Sequence, residues 1–395
     1  MNDFLSRLPD YDHCLVNLSN SILKKFGAET TAKTLPLADR VLAGAHRNVV
    51  LLLLDAMGTR ILEKHLDPDG FFRSRLAGSF DSVYPPTTVA ATTSVLSGLY
   101  PNEHGWLGWD MYYPQLNKNV TVFTNNEQMR EKEGAVPDGT ESDGQEKWTE
   151  QSLAEPVPAA DFNAAFRYTP YRNIIDKIRD SGGTAWPVTP FMPPYPQTFE
   201  AILEQIGMRC REPGNKFIYA YWSEPDHTMH LTGTESGETR AVITDLERKV
   251  EQAAAGWSDT LLLVTADHGH MDSRNRCLPA HPEILNCLVR LPSIEPRTLN
   301  FFVKEAYRES FPGIFRRHFG DAFLLLTREE VLREKVFGPG QDRDGLPGMI
   351  GDYVALAVSD TSLFNTHIEA KMMPGGHAGL TREEIAVPLI VVEQK

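Results

Sequence analysis

The sequence predicts an α/β protein: a mostly parallel central sheet with helices on both faces, carrying an inserted cap or subdomain. Three observations lead there. Short apolar runs without polar alternation recur along the chain, as in strands buried on both faces. Amphipathic helical segments separate these runs, the order expected of βα units. Two polar or irregular stretches interrupt the rhythm. A length of 395 residues agrees, since it exceeds one minimal domain and suits one large domain with insertions, or two domains.

The elements follow in order. The first forty residues read as an irregular or helical lead-in. Asn48–Leu54 is a buried strand ending at Asp55 and Gly58, with a helix over 60–65 after it. Residues 171–180 place Ile174, Ile175 and Ile178 on one helical side. Gly182 and Gly183 stop that helix before a short strand at 185–188. A helix over 199–206 leads into the strand Lys216–Trp222. The segment 235–255 sets Val242, Ile243, Leu246 and Val250 at helical spacing and feeds the strand Thr260–Thr265. Residues 387–392 form the last buried strand. The interruptions run from about 110 to 165, a polar cap excursion, and from about 275 to 350, a small inserted subdomain with helices at 305–311 and 328–335.

Composition narrows the function. With 39 basic and 53 acidic side chains the formal charge is −14, which argues against a nucleic-acid duplex as partner. Small anionic substrates remain open, because bound metal ions can outweigh a global charge. The longest apolar stretch, 49–54, is too short to cross a bilayer, and the first twelve residues lack the apolar core of a signal peptide. The four cysteines form no C-x-x-C pair and are expected as free thiols. Together these features point to a cytoplasmic protein with no membrane association.

Three aspartates, Asp55, Asp226 and Asp267, stand at or just past the carboxyl ends of core strands, the edge where open α/β sheets bind ligands. Asp is also a common turn residue, so one alone would mean little. Asp226 and His230 form D-x-x-x-H, which puts both on one face of a helical turn, able to hold one cation. Asp267 and His268 are adjacent, and Gly269 permits the turn that lets both reach a metal. His377 lies in the glycine-rich Pro374-Gly-Gly-His-Ala-Gly379; a capping turn with an incidental histidine is the plainer account of that stretch. Two prolines precede Thr87 and Thr88, which fall at the start of a helix. Free N–H groups there suit an anion, and a threonine hydroxyl there can act as a nucleophile. Threonines also simply cap helices.

These pieces, in this order, resemble the alkaline phosphatase superfamily, and most closely its type I phosphodiesterase/nucleotide pyrophosphatase branch. The likeness is carried by the strand ending at Asp55, Thr88 ten residues before Gly98-Leu-Tyr-Pro-Asn-Glu-His-Gly105, Glu-Pro-Asp226 with His230, Ala-Asp267-His268-Gly, and Gly-Gly-His377. It implies a single alkaline phosphatase-like catalytic domain over 1–395. It also implies two divalent metal ions, one held by Asp226, His230 and His377, the other by Asp55, Asp267 and His268, with Thr88 facing both. Such ligands suit Zn²⁺, and Mn²⁺ or Fe tolerates the same set. The implied reaction is hydrolysis of a phosphodiester or phosphoanhydride through a phospho-threonine on Thr88, the substrate being a small phosphorylated molecule such as a nucleotide.

One position departs from the pattern. Members of this branch usually carry Asn three residues after the nucleophile, where this chain has Ala91. The lost donor, on the order of 3 kcal/mol, must come from elsewhere: the N–H groups after Thr88, or Asn125 or Asn126 in the cap. Trp109 is a candidate for stacking on the substrate, although Trp106, Trp109, Tyr112 and Tyr113 suit packing better. His104 and His270 are read as supporting residues, and His227 and His281 are not assigned as ligands. The alternatives are a phosphomonoesterase or phosphonate hydrolase of the same superfamily, and a binding protein that kept the fold without the chemistry.

Overall fold

The computed structural model describes residues 7–141 and 146–395; the first six residues of the lead-in and residues 142–145 of the excursion lie outside the described residues. Six strands form the main sheet in the order Leu76–Asp81, Ala386–Gln394, Thr260–Thr265, Asn48–Leu54, Lys216–Trp222, Thr184–Val188. Asn48–Leu54 pairs in parallel with Thr260–Thr265 and Lys216–Trp222, and Thr184–Val188 continues in parallel. Ala386–Gln394 runs antiparallel to both of its neighbours. Every residue of Asn48–Leu54 and Thr260–Thr265 is buried, so both faces are covered, as an uninterrupted apolar run requires.

The covering helices obey their local signals. Asn173 caps Ile174–Asp180 by accepting from the Asp176 N–H, and Ser236 caps Gly237–Ala254 by accepting from Thr239. The latter buries Ile243, Leu246 and Val250. The helix expected over 199–206 extends to Phe199–Arg211. One expectation is corrected: 305–311 is not a helix. A 3-10 turn occupies Glu305–Tyr307, and the helix starts at Phe311 and runs to Phe319. Pro312 explains the shift, because proline lacks the N–H a helix interior needs and is tolerated in the first turn.

Outside the main sheet the chain builds a second, seven-stranded sheet. Three of its strands, Asp110–Tyr113, Lys118–Thr121 and Asn126–Glu127, come from the polar excursion. The other four, Ser293–Glu295, Thr298–Phe301, Phe323–Thr327 and Tyr353–Ala357, come from the later stretch. The two contributions join where Ile294 pairs with Asp110. This brings the later stretch, through Glu295, beside the start of the helix that carries Thr88. All four cysteines are free and buried, and among the described residues no helix is long and apolar enough to cross a membrane.

Candidate metal centre and nucleophile

Three parallel strands deliver the carboxylates to one edge. Asp55 follows Leu54, Asp267 lies two residues past Thr265, and Asp226 opens the helix Asp226–Thr232 beyond Trp222. The loops carrying Asp55 and Asp267 cross almost in contact: a Cβ on Gly58 would lie 2.5 Å from the Gly269 Cα, and one on Gly269 would strike the Glu383 carbonyl. Glycine is what allows that crossing. The Asp267 Oδ1 accepts from the Ala56 N–H at 3.1 Å and from the His268 N–H at 3.0 Å, which aims its other oxygen inward. The Tyr221 hydroxyl donates to Asp55.

Asp55, Asp267 and His268 present ligand atoms within 4.8 Å of one another. His268 Nε2 lies 3.4 Å from Asp55 and 3.5 Å from Asp267. Beside them, Asp226 lies 3.3 Å from His230 Nε2 and 3.8 Å from His377 Nε2, and those two nitrogens are 3.2 Å apart. The structure therefore brings all six sequence-derived ligands together. A seventh residue joins them: His270 Nε2 is 3.6 Å from Asp226, in a group with Asp226 and His230. Its signal in the sequence was the His-x-His spacing of His268 and His270, which sets two imidazoles two residues apart. Gly375 makes room for it, since a Cβ there would approach the His270 ring to 2.6 Å.

The imidazoles are oriented by carbonyls, which can only accept. His268 Nδ1 faces the Gly269 carbonyl at 2.9 Å, His230 Nδ1 that of Gly375 at 3.2 Å, and His377 Nδ1 that of Pro86 at 3.3 Å. Each Nδ1 therefore carries a proton, and Nε2 is the ring atom that faces the carboxylates. Burial pushes the Asp55 carboxyl well above the usual range, and the charges of Asp267 and Asp226 push it further. Burial also raises Asp267, against the pull of His268. At Asp226 burial is outweighed by His230, His377 and His270, which hold the carboxyl well below its ordinary value. Burial keeps His270 and His377 neutral, the form that binds metal.

The residues fit divalent cations by a simple test. Asp226 Oδ1, Asp267 Oδ2 and both ring nitrogens of His270 are buried and have no hydrogen-bond partner. Buried polar atoms are seldom left so, and a cluster of them among oxygen and nitrogen donors has the composition a divalent cation would need.

Thr88 is the first residue of the helix Thr88–Ser97, and Thr87 is its N-cap. The two hydroxyls part company. Thr88 Oγ1 lies 3.2 Å from His268 Nε2 and 3.4 Å from Asp55, facing the cluster. Thr87 donates to Glu295 at 2.6 Å instead. Glu295 also accepts from the Trp109 N–H at 2.8 Å, and burial pushes its carboxyl up to about 7. No side chain caps the helix, so its leading N–H groups are open to an anion.

The cap residues divide. Asn125 does not fit as a substrate donor, which corrects that expectation. Both of its amide hydrogens are engaged, by the Ala160 and Phe162 carbonyls, and its oxygen accepts from the Ala164 N–H. Asn126 sits in the short strand Asn126–Glu127, pairs with Thr121, and shows no contact with the cluster. The Trp109 ring is 46% exposed and meets the exposed Phe123 edge to face at 5.5 Å. Trp106, Tyr112 and Tyr113 are buried in packing, and Ala91 is fully buried. His104 bridges Ser94 and the Trp106 N–H beneath the Thr88 helix. His281 pairs with His318, and His227 is exposed.

The Thr88 hydroxyl thus stands at an open helix start, turned toward the Asp55 carboxylate and the His268 imidazole. The model of the type I phosphodiesterase/nucleotide pyrophosphatase family matches residues 49–292, and the chain belongs to that family, whose members are metal-dependent. Venom phosphodiesterase of Macrovipera lebetinus is 25% identical over 194 residues, 48% of this chain; the match spans only 21% of that protein's length. Among solved structures, murine ectonucleotide pyrophosphatase/phosphodiesterase 5, seen as an inactive variant with AMP, aligns at a TM-score of 0.56 and 17% identity, covering 86% of this chain and 87% of its own. Phosphonoacetate hydrolase from Sinorhizobium meliloti, in complex with phosphonoformate, aligns at 0.56 and 16%, covering 88% and 90%. These two likenesses show the alkaline phosphatase-type fold.

Proposed function

We propose that the chain is a phosphodiesterase or nucleotide pyrophosphatase that works with two divalent metal ions and Thr88 as nucleophile. The observation that carries this reading is the Thr88 hydroxyl facing His268 and Asp55 while Thr87 is turned away to Glu295. Asp55, Asp267 and His268 would hold one ion. Asp226, His230 and His377 would hold the other, with His270 as a further donor beside Asp226. Zn²⁺ suits this donor set best. When bound, the ions supply Lewis-acid charge that favours the deprotonated hydroxyl and the developing phosphoryl charge.

The chain's own residues do the rest. Thr88 Oγ1 attacks phosphorus, the P–O bond to the leaving group breaks, and a phospho-threonine forms. Water then attacks that phosphorus, releasing the phosphorylated product and restoring the threonine. The open N–H groups at the start of Thr88–Ser97 stand in for the amide that Ala91 lacks, donating to the phosphoryl oxygens. The exposed Trp109–Phe123 pair, tied to Thr87 through Glu295, offers an aromatic surface to a base or aryl leaving group.

Hydrolysis of bis-(p-nitrophenyl) phosphate and of p-nitrophenyl phosphate, side by side with Zn²⁺, tests the substrate class. The diester should be turned over faster, and Thr88→Ala should be inactive on both. Turnover of the monoester alone would remove the diesterase assignment.

A further inference from the structure

A separate group of metal-type donors lies outside the Thr88 site. Glu131, Cys277 and His367 present ligand atoms within 4.8 Å of one another. They come from three distant segments. Glu131 belongs to the excursion, where it pairs with Leu153. Cys277 ends the strand Arg274–Cys277, which lies parallel to Thr361–Phe364. His367 opens the helix His367–Met372. Cys277 is 9% exposed, and the Glu131 and His367 side chains are partly buried, 14% and 21% exposed. Glu131 Oε1 accepts from the His367 main-chain N–H at 2.7 Å and faces its Nδ1 at 2.9 Å. The Trp148 ring lies flat on the imidazole, 4.0 Å away and 2° from parallel.

A hydrogen bond between Glu131 and His367 would account for two of these residues. It leaves unexplained why a cysteine sulfur from a third segment completes the triangle. A divalent cation bound there would convert the thiol to the thiolate, releasing its proton to solvent.

We propose that Glu131, Cys277 and His367 form a second metal site, distinct from the Thr88 cluster, that takes a cation of the zinc class. Sulfur and imidazole ligands select zinc over magnesium or calcium, and three protein ligands leave one position for water. Its ligands join the excursion to the segments around Cys277 and His367, so the ion acts as a staple under the cap and takes no part in the reaction at Thr88.

The sulfur makes the two sites separable by spectroscopy, because the Thr88 cluster contains only oxygen and nitrogen donors. Metal-stripped protein reloaded with Co²⁺ should show a thiolate-to-cobalt charge-transfer band in the near ultraviolet. The band should persist in Asp226→Asn, disappear in Cys277→Ser, and weaken in His367→Gln. Cys277→Ser should also bind one fewer cation per chain while keeping the cations of the Thr88 cluster. Absence of the band in the wild-type protein, or its survival in Cys277→Ser, overturns the proposal.

Discussion

Removing the charge of Glu384 should destabilise the protein severely, because this residue braces the loop that carries His377. Arg297 and Glu384 are both fully buried, with Nε–Oε1 at 2.6 Å and Nη2–Oε2 at 2.9 Å. Glu384 also accepts from the Gly379 N–H at 2.6 Å and from the Thr381 hydroxyl at 2.7 Å, two and four residues past His377. Arg297 in turn donates to the Thr361 carbonyl at 3.0 Å and the Ser359 carbonyl at 2.7 Å. Glu384→Gln keeps the shape but strands a guanidinium in the interior, which costs about 3–5 kcal/mol. Arg297→Met combined with Glu384→Leu removes both charges but also the partners of the Gly379 N–H, the Thr381 hydroxyl and the Ser359 and Thr361 carbonyls, at about 1–3 kcal/mol for each that stays buried and unmet. Urea unfolding of metal-stripped protein, followed by circular dichroism, reads both losses. Chelator competition should show weaker metal binding in Glu384→Gln, as His377 loses its support. A loss under about 1 kcal/mol for Glu384→Gln would refute the reasoning, because it would mean that the stranded charge finds water.

The remaining expectations concern single residues around the site. Thr88→Ala should reduce turnover by on the order of 10⁴-fold or more, the scale of losing a nucleophile. Thr87→Ala should cost only about tenfold, through its lost bond to Glu295; equal losses measured by steady-state kinetics would contradict the choice between them. Glu295 has a raised folded-state value, about 7 against an ordinary 4.5, so the folded chain holds its proton more tightly than the unfolded one. Its contribution is complete below the unfolded value and lost as pH rises through 7, about 3 kcal/mol in all. Glu295→Gln should flatten that decline in urea midpoints of metal-stripped protein; an unchanged slope would assign it to another group. His270→Gln should weaken metal binding by about 10–100-fold in chelator competition. Wild-type affinity in that variant would make His270 a packing residue.

Much of this was legible in the sequence, and what was not has physical causes. Uninterrupted apolar runs mark the strands of the main sheet because both of their faces are covered. They carry no direction, so the antiparallel setting of Ala386–Gln394 left no trace in hydropathy. The second sheet was hidden because its strands are short and drawn from two distant stretches that meet where Ile294 pairs with Asp110. At the site, the six proposed ligands were visible as residues at or just past strand ends and in one glycine loop. The choice of Thr88 over Thr87 is now explained by Glu295, 208 residues away, which no local pattern could reveal. Asn125 drew attention as a polar cap residue, yet its three hydrogen bonds close the loop around it. His270 was passed over because its neighbours, Asp267 and His268, already made a complete-looking motif.

The stereochemical course at phosphorus tests the central claim most directly. A substrate the enzyme turns over, made chiral at phosphorus by sulfur and oxygen isotopes, would be hydrolysed in labelled water and the product's configuration determined. Attack by Thr88 followed by attack of water inverts phosphorus twice, so net retention is expected. Net inversion would mean that water attacks the substrate in a single step and that Thr88 is not the nucleophile.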